Sequence, residues 1–558
     1  MKISIFKSWI PTVALLLSMG LMNSCIGDLD VEPIDPNLTS EVDNDALFNK
    51  CYAAMATAGN GGANGDCDID RLDGGTTGFM RQMFNANELT TDEAICGWGD
   101  EGISSFCYNQ YNGSHPMLAG FYNRLYFCIT MCNHYLEVCG KAPAADQTQR
   151  SAEVRFLRAY FYYHLMDCFG NVPFTTVVTA KKAKQIKRAD LYDWIEEELL
   201  AIEPNMADAK AKKSTDTGYG RADKAAVWLL LSRLYLNAEV YTGTPQWEKA
   251  KTYAKKVMDS DYKLNMKGAT YTVTDPETNV ETSYTWSAYQ MLFLGDNAET
   301  DAAYEAILPL LQDGIRTTSW GTSLFLMAGC FDENMKRGDE VGLKGVNGVS
   351  ETWGGNRARK QLIQKFFPND NAPLGTTSEI LAQANDDRAL FWGKGHTLSA
   401  EDPSLFTYGF GVAKFLNYYS TGASPHHGQF PDMDYFLMRK AEAYLTFAEA
   451  DARLNGGNTT TDGTNAIKLI RQRANANTGS ASYSLDNILD EWSREYYFEG
   501  RRRSDLIRFG KYGGISDYKW EWKGGTYSGT NFDAHLNIFA IPDTDLGANE
   551  NLVQNPGY

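Results

Sequence analysis

The chain is 558 residues long, 43% hydrophobic and 13% aromatic, with a formal charge of −18 at pH 7. A surface that acidic excludes partners held by clustered Lys and Arg, so neither nucleic acid nor an anionic lipid surface is expected. The length admits two or more average domains, and the cysteines after the first are scattered and odd in number, unlike a disulfide framework.

At the N-terminus, Lys2 and Lys7 flank the start of an apolar stretch over 9–22, followed by Asn23, Ser24 and Cys25. This is the pattern of a secretory signal peptide over 1–24. Pro11 and Ser18 interrupt the stretch, which falls short of the ~20 apolar residues that a membrane span needs. A cysteine at the first mature position is the acyl acceptor of bacterial lipoprotein processing. Two or three acyl chains there anchor stably, at roughly 0.8 kcal/mol per buried methylene. Cys25 is therefore the expected lipid attachment point. Residues 25–40 carry Pro33, Pro36 and the acids Asp28, Asp30 and Glu32, and read as an extended tether. The acidic run just after the cysteine resembles the signal that sends lipoproteins to the outer face of the outer membrane.

The body, 41–558, reads as a single domain. A Gly- and Asn-rich run at 59–75 opens an irregular excursion over about 59–115. Within it, Asp66-Cys67-Asp68-Ile69-Asp70 begins like a calcium loop, but Arg71 stands where Gly is needed and Thr77 where Glu is needed. A solvated acidic loop is the default, no cofactor is expected, and Ca2+ is the one ion the run suggests. Cys128, Cys132 and Cys139 fall at helical spacing among aromatic and aliphatic residues, which fits small buried hydrophobes better than a metal site. Asp146 and Gln149 form a capping-box pair opening a helix that Gly170 and Pro173 stop. Helices follow over 225–238, apolar on a wide face, and over 247–259, amphipathic. Two helices joined by a short turn are the unit of a tetratricopeptide repeat.

Residues 265–356 form a second irregular excursion, with short strand-like runs at 305–310 and later at 412–417. Helical patterns resume over 436–454, with Ala441, Ala443, Ala448 and Ala450 where helices can approach closely, and over 466–476 and 485–500. The tandem Arg501, Arg502 and Arg503 are surrounded by acids, including Asp490, Glu491, Glu495, Glu499 and Asp505, and read as an internal salt-bridge network. The fold class is all-α: stacked helix pairs carrying long irregular loops, and loops of that length are usually functional.

No nucleophile elbow, Walker loop, dinucleotide fingerprint or zincin motif is present, and of the seven histidines only His426 and His427 are adjacent. No catalytic constellation is recognisable. With 70 Asp and Glu, a hydrolytic carboxylate pair leaves no recognisable signature. A lipoprotein glycoside hydrolase is thus the alternative of another class, and a repeat scaffold for protein partners is a third.

The stretches at 152–174 (AEVRFLRAYFYYHLMDCFGNVPF), 220–238 (GRADKAAVWLLLSRLYLNA), 437–457 (LMRKAEAYLTFAEADARLNGG), 491–510 (EWSREYYFEGRRRSDLIRFG) and 541–558 (IPDTDLGANENLVQNPGY) resemble signatures of one family. With the SCIGDLDVEPIDP start, they are similar to the SusD/RagB family of surface glycan-binding lipoproteins, along the whole mature chain. NANELTTDE (85–93) and LPLLQDGIRT (308–317) look most like a starch-binding member. The resemblance implies stacked tetratricopeptide helix pairs, a glycan-binding face built by the loops, no catalysis, and a TonB-dependent outer-membrane transporter of the SusC type as partner. It implies a starch-like α-glucan as ligand, with a different glycan as the alternative.

In that starch-binding relative an arc of aromatic rings follows the curve of the glucan. Trp98 keeps the residue type, Trp320 stands where the relative has tyrosine, and Trp353 matches a tryptophan. Arg81 matches a polar contact. Glu101 replaces an asparagine, so it accepts hydrogen bonds without donating them; Asp100 beside it supplies a further acceptor. All three tryptophans sit in Gly-flanked polar stretches, outside helical apolar stripes.

Overall fold

The computed structural model describes residues 42–69, 73–140 and 146–558. The leader, Cys25, the tether and the Asp70-Arg71 end of the acidic run lie outside them. The helices of the packed frame include α1 (Asn44–Ala56), α2 (Pro116–Val138), α3 (Gln147–Phe169), α4 (Arg188–Ile202), α5 (Lys224–Leu236), α6 (Trp247–Met258), α7 (Ala441–Leu454), α8 (Thr461–Arg473), α9 (Leu485–Tyr496) and α10 (Arg502–Arg508). Neighbours in sequence are neighbours in space: α2 packs on α3, α3 on α4, and α5 on α6. The last group gathers on α7, which touches α5, α6, α8 and α9. Its alanines 441, 443, 448 and 450 are fully buried, as close helix approach requires. Gly170, at φ +68°, ends α3 in a conformation that side chains resist. No helix among the described residues is long and apolar enough to cross a membrane.

Ten short strands among the described residues make the fold helix-rich rather than purely helical: β1 (Ala94–Cys96), β2 (Val172–Phe174), β3 (Lys184–Ile186), β4 (Ala269–Thr274), β5 (Glu281–Trp286), β6 (Ala306–Leu310), β7 (Asn356–Ala358), β8 (Phe391–Trp392), β9 (Gly411–Val412) and β10 (Tyr435–Arg439). They form five antiparallel pairs, β1–β7, β2–β3, β4–β5, β6–β10 and β8–β9.

Several expectations need correction. The helix expected over 436–454 starts only at Ala441, because the preceding residues pair with β6 as β10 and are buried on both faces. The strand expected over 412–417 is reduced to Gly411–Val412. The helix expected over 466–476 runs from Thr461 to Arg473, and the one over 485–500 stops at Tyr496 before Phe498 takes φ +65°. The capping box at α3 does not form. Arg150 takes the Asp146 carboxylate at 2.9 Å, and Gln149 donates to Glu153 at 2.8 Å. Asp68 is drawn inward by Lys50 at 3.1 Å and Arg124 at 3.0 Å, instead of facing solvent. Cys128, Cys132 and Cys139 are fully buried, as expected of small hydrophobes.

The tandem arginines do enter internal ion pairs: Arg501 with Glu442 and Asp505, Arg502 with Asp92, Arg503 with Asp167. The acids Glu491, Glu495 and Glu499 serve other cations. Glu495 meets Arg388, Arg439 and Arg473; Glu491 meets Arg388, Arg471 and Arg494; Glu499 meets Arg439 and Lys414.

A second buried acidic pair carries no such excess of cations. Glu88 accepts the backbone N–H groups of Gly500 at 2.6 Å and Arg501 at 2.9 Å, and its carboxyl faces Glu93. Burial, then the neighbouring Glu93 charge, pushes Glu88 well above the ordinary carboxylate range. A raised acid favours the folded state while both states are protonated. That stability is lost as pH climbs above the unfolded-state pKa of about 4.3. Glu88→Gln mimics the protonated acid. It is expected to flatten the decline of the thermal midpoint between pH 5 and pH 8, checked by melting curves beside the unmodified protein.

Candidate functional site

The pairing of β1 with β7 sets Cys96 opposite Asn356, and the Gly97 N–H extends the ladder to the Gly355 carbonyl at 3.3 Å. Trp98, two residues beyond β1, is thereby brought beside Trp353, just before β7. Their ring centroids are 6.3 Å apart, and the Trp98 indole N–H donates to the Trp353 carbonyl at 3.3 Å. Gly355 is required here by close approach: a Cβ on it would stand 2.2 Å from the Trp98 ring. Gly355→Ala is therefore expected to displace Trp98, with a changed tryptophan emission spectrum as the check.

The short helix Ser323–Gly329 brings in the third indole. Its end receives the Trp353 N–H at the Ala328 carbonyl (2.7 Å) and the Gly355 N–H at the Gly329 carbonyl (2.9 Å). Trp320 lies just before that helix, 6.2 Å from Trp353 and 5.2 Å from Phe430. The result is a row, Trp98–Trp353–Trp320–Phe430, with successive ring planes tilted by 59°, 48° and 56°. The three indoles are partly exposed, whereas Phe430, at the Trp320 end of the row, is buried.

Each indole N–H is already engaged inside the protein. Trp98 donates to the Trp353 carbonyl, Trp353 to Glu351 at 2.8 Å, and Trp320 to Asn64 at 3.3 Å. Gln429 holds the other Glu351 oxygen at 2.7 Å. With these polar handles occupied, the rings present apolar surface outward. Such surface suits the C–H face of a pyranose, whose hydroxyl rim then needs separate donors and acceptors.

Arg81 departs from a simple outward contact. Its guanidinium is largely buried, 5.3 Å from the ring centroids of both Trp98 and Phe325, with one arm 3.3 Å from Asp100. Arg81 thus backs Trp98 and reaches the surface through Asp100. Asp100 and Glu101 are exposed on the turn after Trp98, and among the described residues the Glu101 side chain makes no hydrogen bond or ion pair. Asn64, Glu351, Gln429 and Phe430 escaped the sequence reading. Only the Asn-Gly richness around Asn64 hinted that its loop would be placed for use. His426 and His427 do not form a metal pair. His426 meets Asp432 at 3.0 Å, whereas the His427 ring accepts backbone N–H groups from Gln429 and Phe430.

A family model described as "SusD family" matches residues 246–558, and one described as "Starch-binding associating with outer membrane" matches residues 29–236. The starch-binding protein SusD of Bacteroides thetaiotaomicron is 36% identical, over 97% of this chain and 97% of its own length. Among solved structures, a SusD-like protein of Bacteroides fragilis has a TM-score of 0.65 at 18% identity, covering 95% of this chain and 100% of the other. Surface glycan-binding protein A of Bacteroides thetaiotaomicron, solved in complex with laminarihexaose, has a TM-score of 0.62 at 16% identity, covering 92% and 98%. These two likenesses establish a shared fold.

Proposed function

We propose, because this chain belongs to the SusD family, that it is a non-catalytic cell-surface lipoprotein that captures starch-like α-glucan oligosaccharides and delivers them to a TonB-dependent transporter of the SusC type. The observation that carries this reading is the row of three part-exposed indoles whose N–H groups are satisfied internally. Trp98, Trp353 and Trp320 stack on successive sugar rings, and their mutual tilt suits a curved chain. Asp100 and Glu101 accept from the hydroxyl rim, while Arg81 holds Trp98 and Asp100 in place. The relative that shares 36% of its residues with this chain is named for starch binding, which supports α-glucan as the ligand class. The successive packing of helices α2 to α6 supports a tetratricopeptide-like frame behind the loops.

Calorimetric titration with malto-, isomalto- and laminari-oligosaccharides in parallel tests the ligand class. Heat is expected with the malto series, and prolonged incubation with starch is expected to release no reducing ends. Binding confined to the β-linked series would overturn the α-glucan assignment, and steady release of reducing ends would restore the hydrolase. For the anchor, Cys25→Ala is expected to move the protein from membrane to soluble fractions. Persistence in the membrane with Cys25 unmodified would remove the lipid from the account.

A further inference from the structure

We propose that the protein carries a second glycan-binding platform, built by Tyr108, Trp522 and Tyr527, which extends the indole row along a polysaccharide. This rests on the glycan-binding reading above and adds a site to it. Trp522 lies 5.3 Å from Tyr108 and 5.9 Å from Tyr527 between ring centroids. Tyr527 is 39% exposed, and the other two rings are part-exposed.

Three observations mark the cluster as more than packing. Trp522 sits at φ +67°, a left-handed conformation that a bulky side chain adopts only at a cost, whereas glycine adopts it freely. Strain of this kind gathers at functional sites. Its indole N–H is already spent on the Ala400 carbonyl at 2.7 Å, so the ring presents apolar surface, as in the first row. Tyr527 also borders a cleft of about 260 Å3 that holds Gln361. Gln361 accepts the Glu521 N–H at 3.3 Å through its carbonyl oxygen, which leaves its NH2 group to donate to a sugar hydroxyl. Glu401, beside the Tyr527 hydroxyl at 3.5 Å, supplies an exposed acceptor.

The β1–β7 pair places both platforms. Trp98 and Trp353 leave one end. At the other, Arg359, one residue past β7, donates to the backbone carbonyls of Cys107 and Glu521, each one residue before a ring of the second cluster. From Trp353 to Arg359 the chain spans at most about 20 Å. The 400–403 segment links the same two places: Ala400 holds Trp522, and the Pro403 carbonyl takes Arg357 at 2.6 Å, close to Gly97. Two weak sites so linked raise each other's effective concentration on a long chain and add little for a short one.

The test compares the unmodified protein, Tyr527→Ala/Trp522→Gly, and Trp320→Ala/Trp353→Ala, by retention in native gels containing amylopectin and by calorimetry with maltoheptaose. The Tyr527/Trp522 variant is expected to lose amylopectin affinity roughly ten-fold while its maltoheptaose affinity stays within about two-fold. Unchanged amylopectin retention in that variant, with loss in the Trp320/Trp353 variant, overturns the second platform and leaves the functional reading standing. Loss in the Tyr527/Trp522 variant alone upholds the platform and overturns the role given to Trp320 and Trp353. An unmodified protein that binds no α-glucan overturns both. Tyr527→Ala by itself changes only an exposed side chain and is scored by the same outcomes if Trp522→Gly lowers the thermal midpoint.

Discussion

Trp320→Ala combined with Trp353→Ala is expected to abolish retention on soluble starch while the thermal midpoint stays within a few degrees of the unmodified protein. A pyranose stacked on an indole removes about 70 Å2 of apolar surface from water, worth roughly 2 kcal/mol at ~25 cal/mol/Å2. Losing one such contact costs about 30-fold in affinity. Because the two rings are 6.2 Å apart and serve one chain, their losses will not simply add. Even so, a surface that relies on several weak contacts falls below detection when two vanish. These two rings are the right ones to remove because each is part-exposed and anchored by one side-chain hydrogen bond, to Asn64 or Glu351. Trp98 is a poorer choice. It packs against Phe325 at 5.8 Å, Gly355 and the Arg81 guanidinium, so truncation would also open a hole beneath the site. Full retention by the double variant would show that the row is packing and that glycan binds elsewhere.

The largest stability effect is expected from Glu495→Gln. Glu495 is fully buried, with Arg388 at 3.4 Å, Arg439 at 2.5 Å and Arg473 also paired to it; all three guanidiniums are themselves buried. Removing one partner of a buried ion cluster leaves uncompensated charge and typically costs about 3–5 kcal/mol. Glu499 and Glu305 remain beside Arg439, yet Arg473 keeps only Glu305 among its ion-pair partners. Burial opposes ionisation of Glu495, but the three arginines outweigh it and bring its pKa down to about 2. An acid held below its unfolded value contributes stability that is complete above the unfolded pKa and disappears as pH falls through the folded one. The unmodified protein should therefore lose stability between about pH 4.5 and pH 2. The Gln variant should be less stable at pH 7 by several degrees in midpoint and show a shallower acid limb. Equal midpoints at pH 7, or parallel acid limbs, would mean that the cluster contributes nothing net.

Helix positions were largely legible because apolar periodicity and small residues at crossings are local properties. The alanines at 441, 443, 448 and 450 predict close approach, and α7 does collect four helices. Errors cluster where a distant partner intervenes. Residues 436–439 have a helical pattern, but β6 offers unpaired backbone groups some 130 residues away and converts them to strand. The same holds for Asp146, whose capping role yields to Arg150 and Arg221. At the tandem arginines, charge density predicted an ion network correctly. Of the acids named, Asp505 does pair, with Arg501, whereas Asp92, Asp167 and Glu442 come from remote segments.

By itself the sequence determined an acidic, helix-rich chain with aromatic residues set in Gly-rich loops, because charge, hydrophobic period and turn chemistry are written residue by residue. The resemblance named Trp98, Trp320 and Trp353 as one set; only the tertiary structure decided their order and tilt in the row, that Phe430 continues it, that Arg81 lies buried against Trp98, and that Trp522 adopts a left-handed backbone. Those outcomes depend on the β1–β7 pairing across some 260 residues and on which donors the loops leave unspent. No local pattern encodes such long-range register, because it is fixed by packing that exists only once the whole chain has folded.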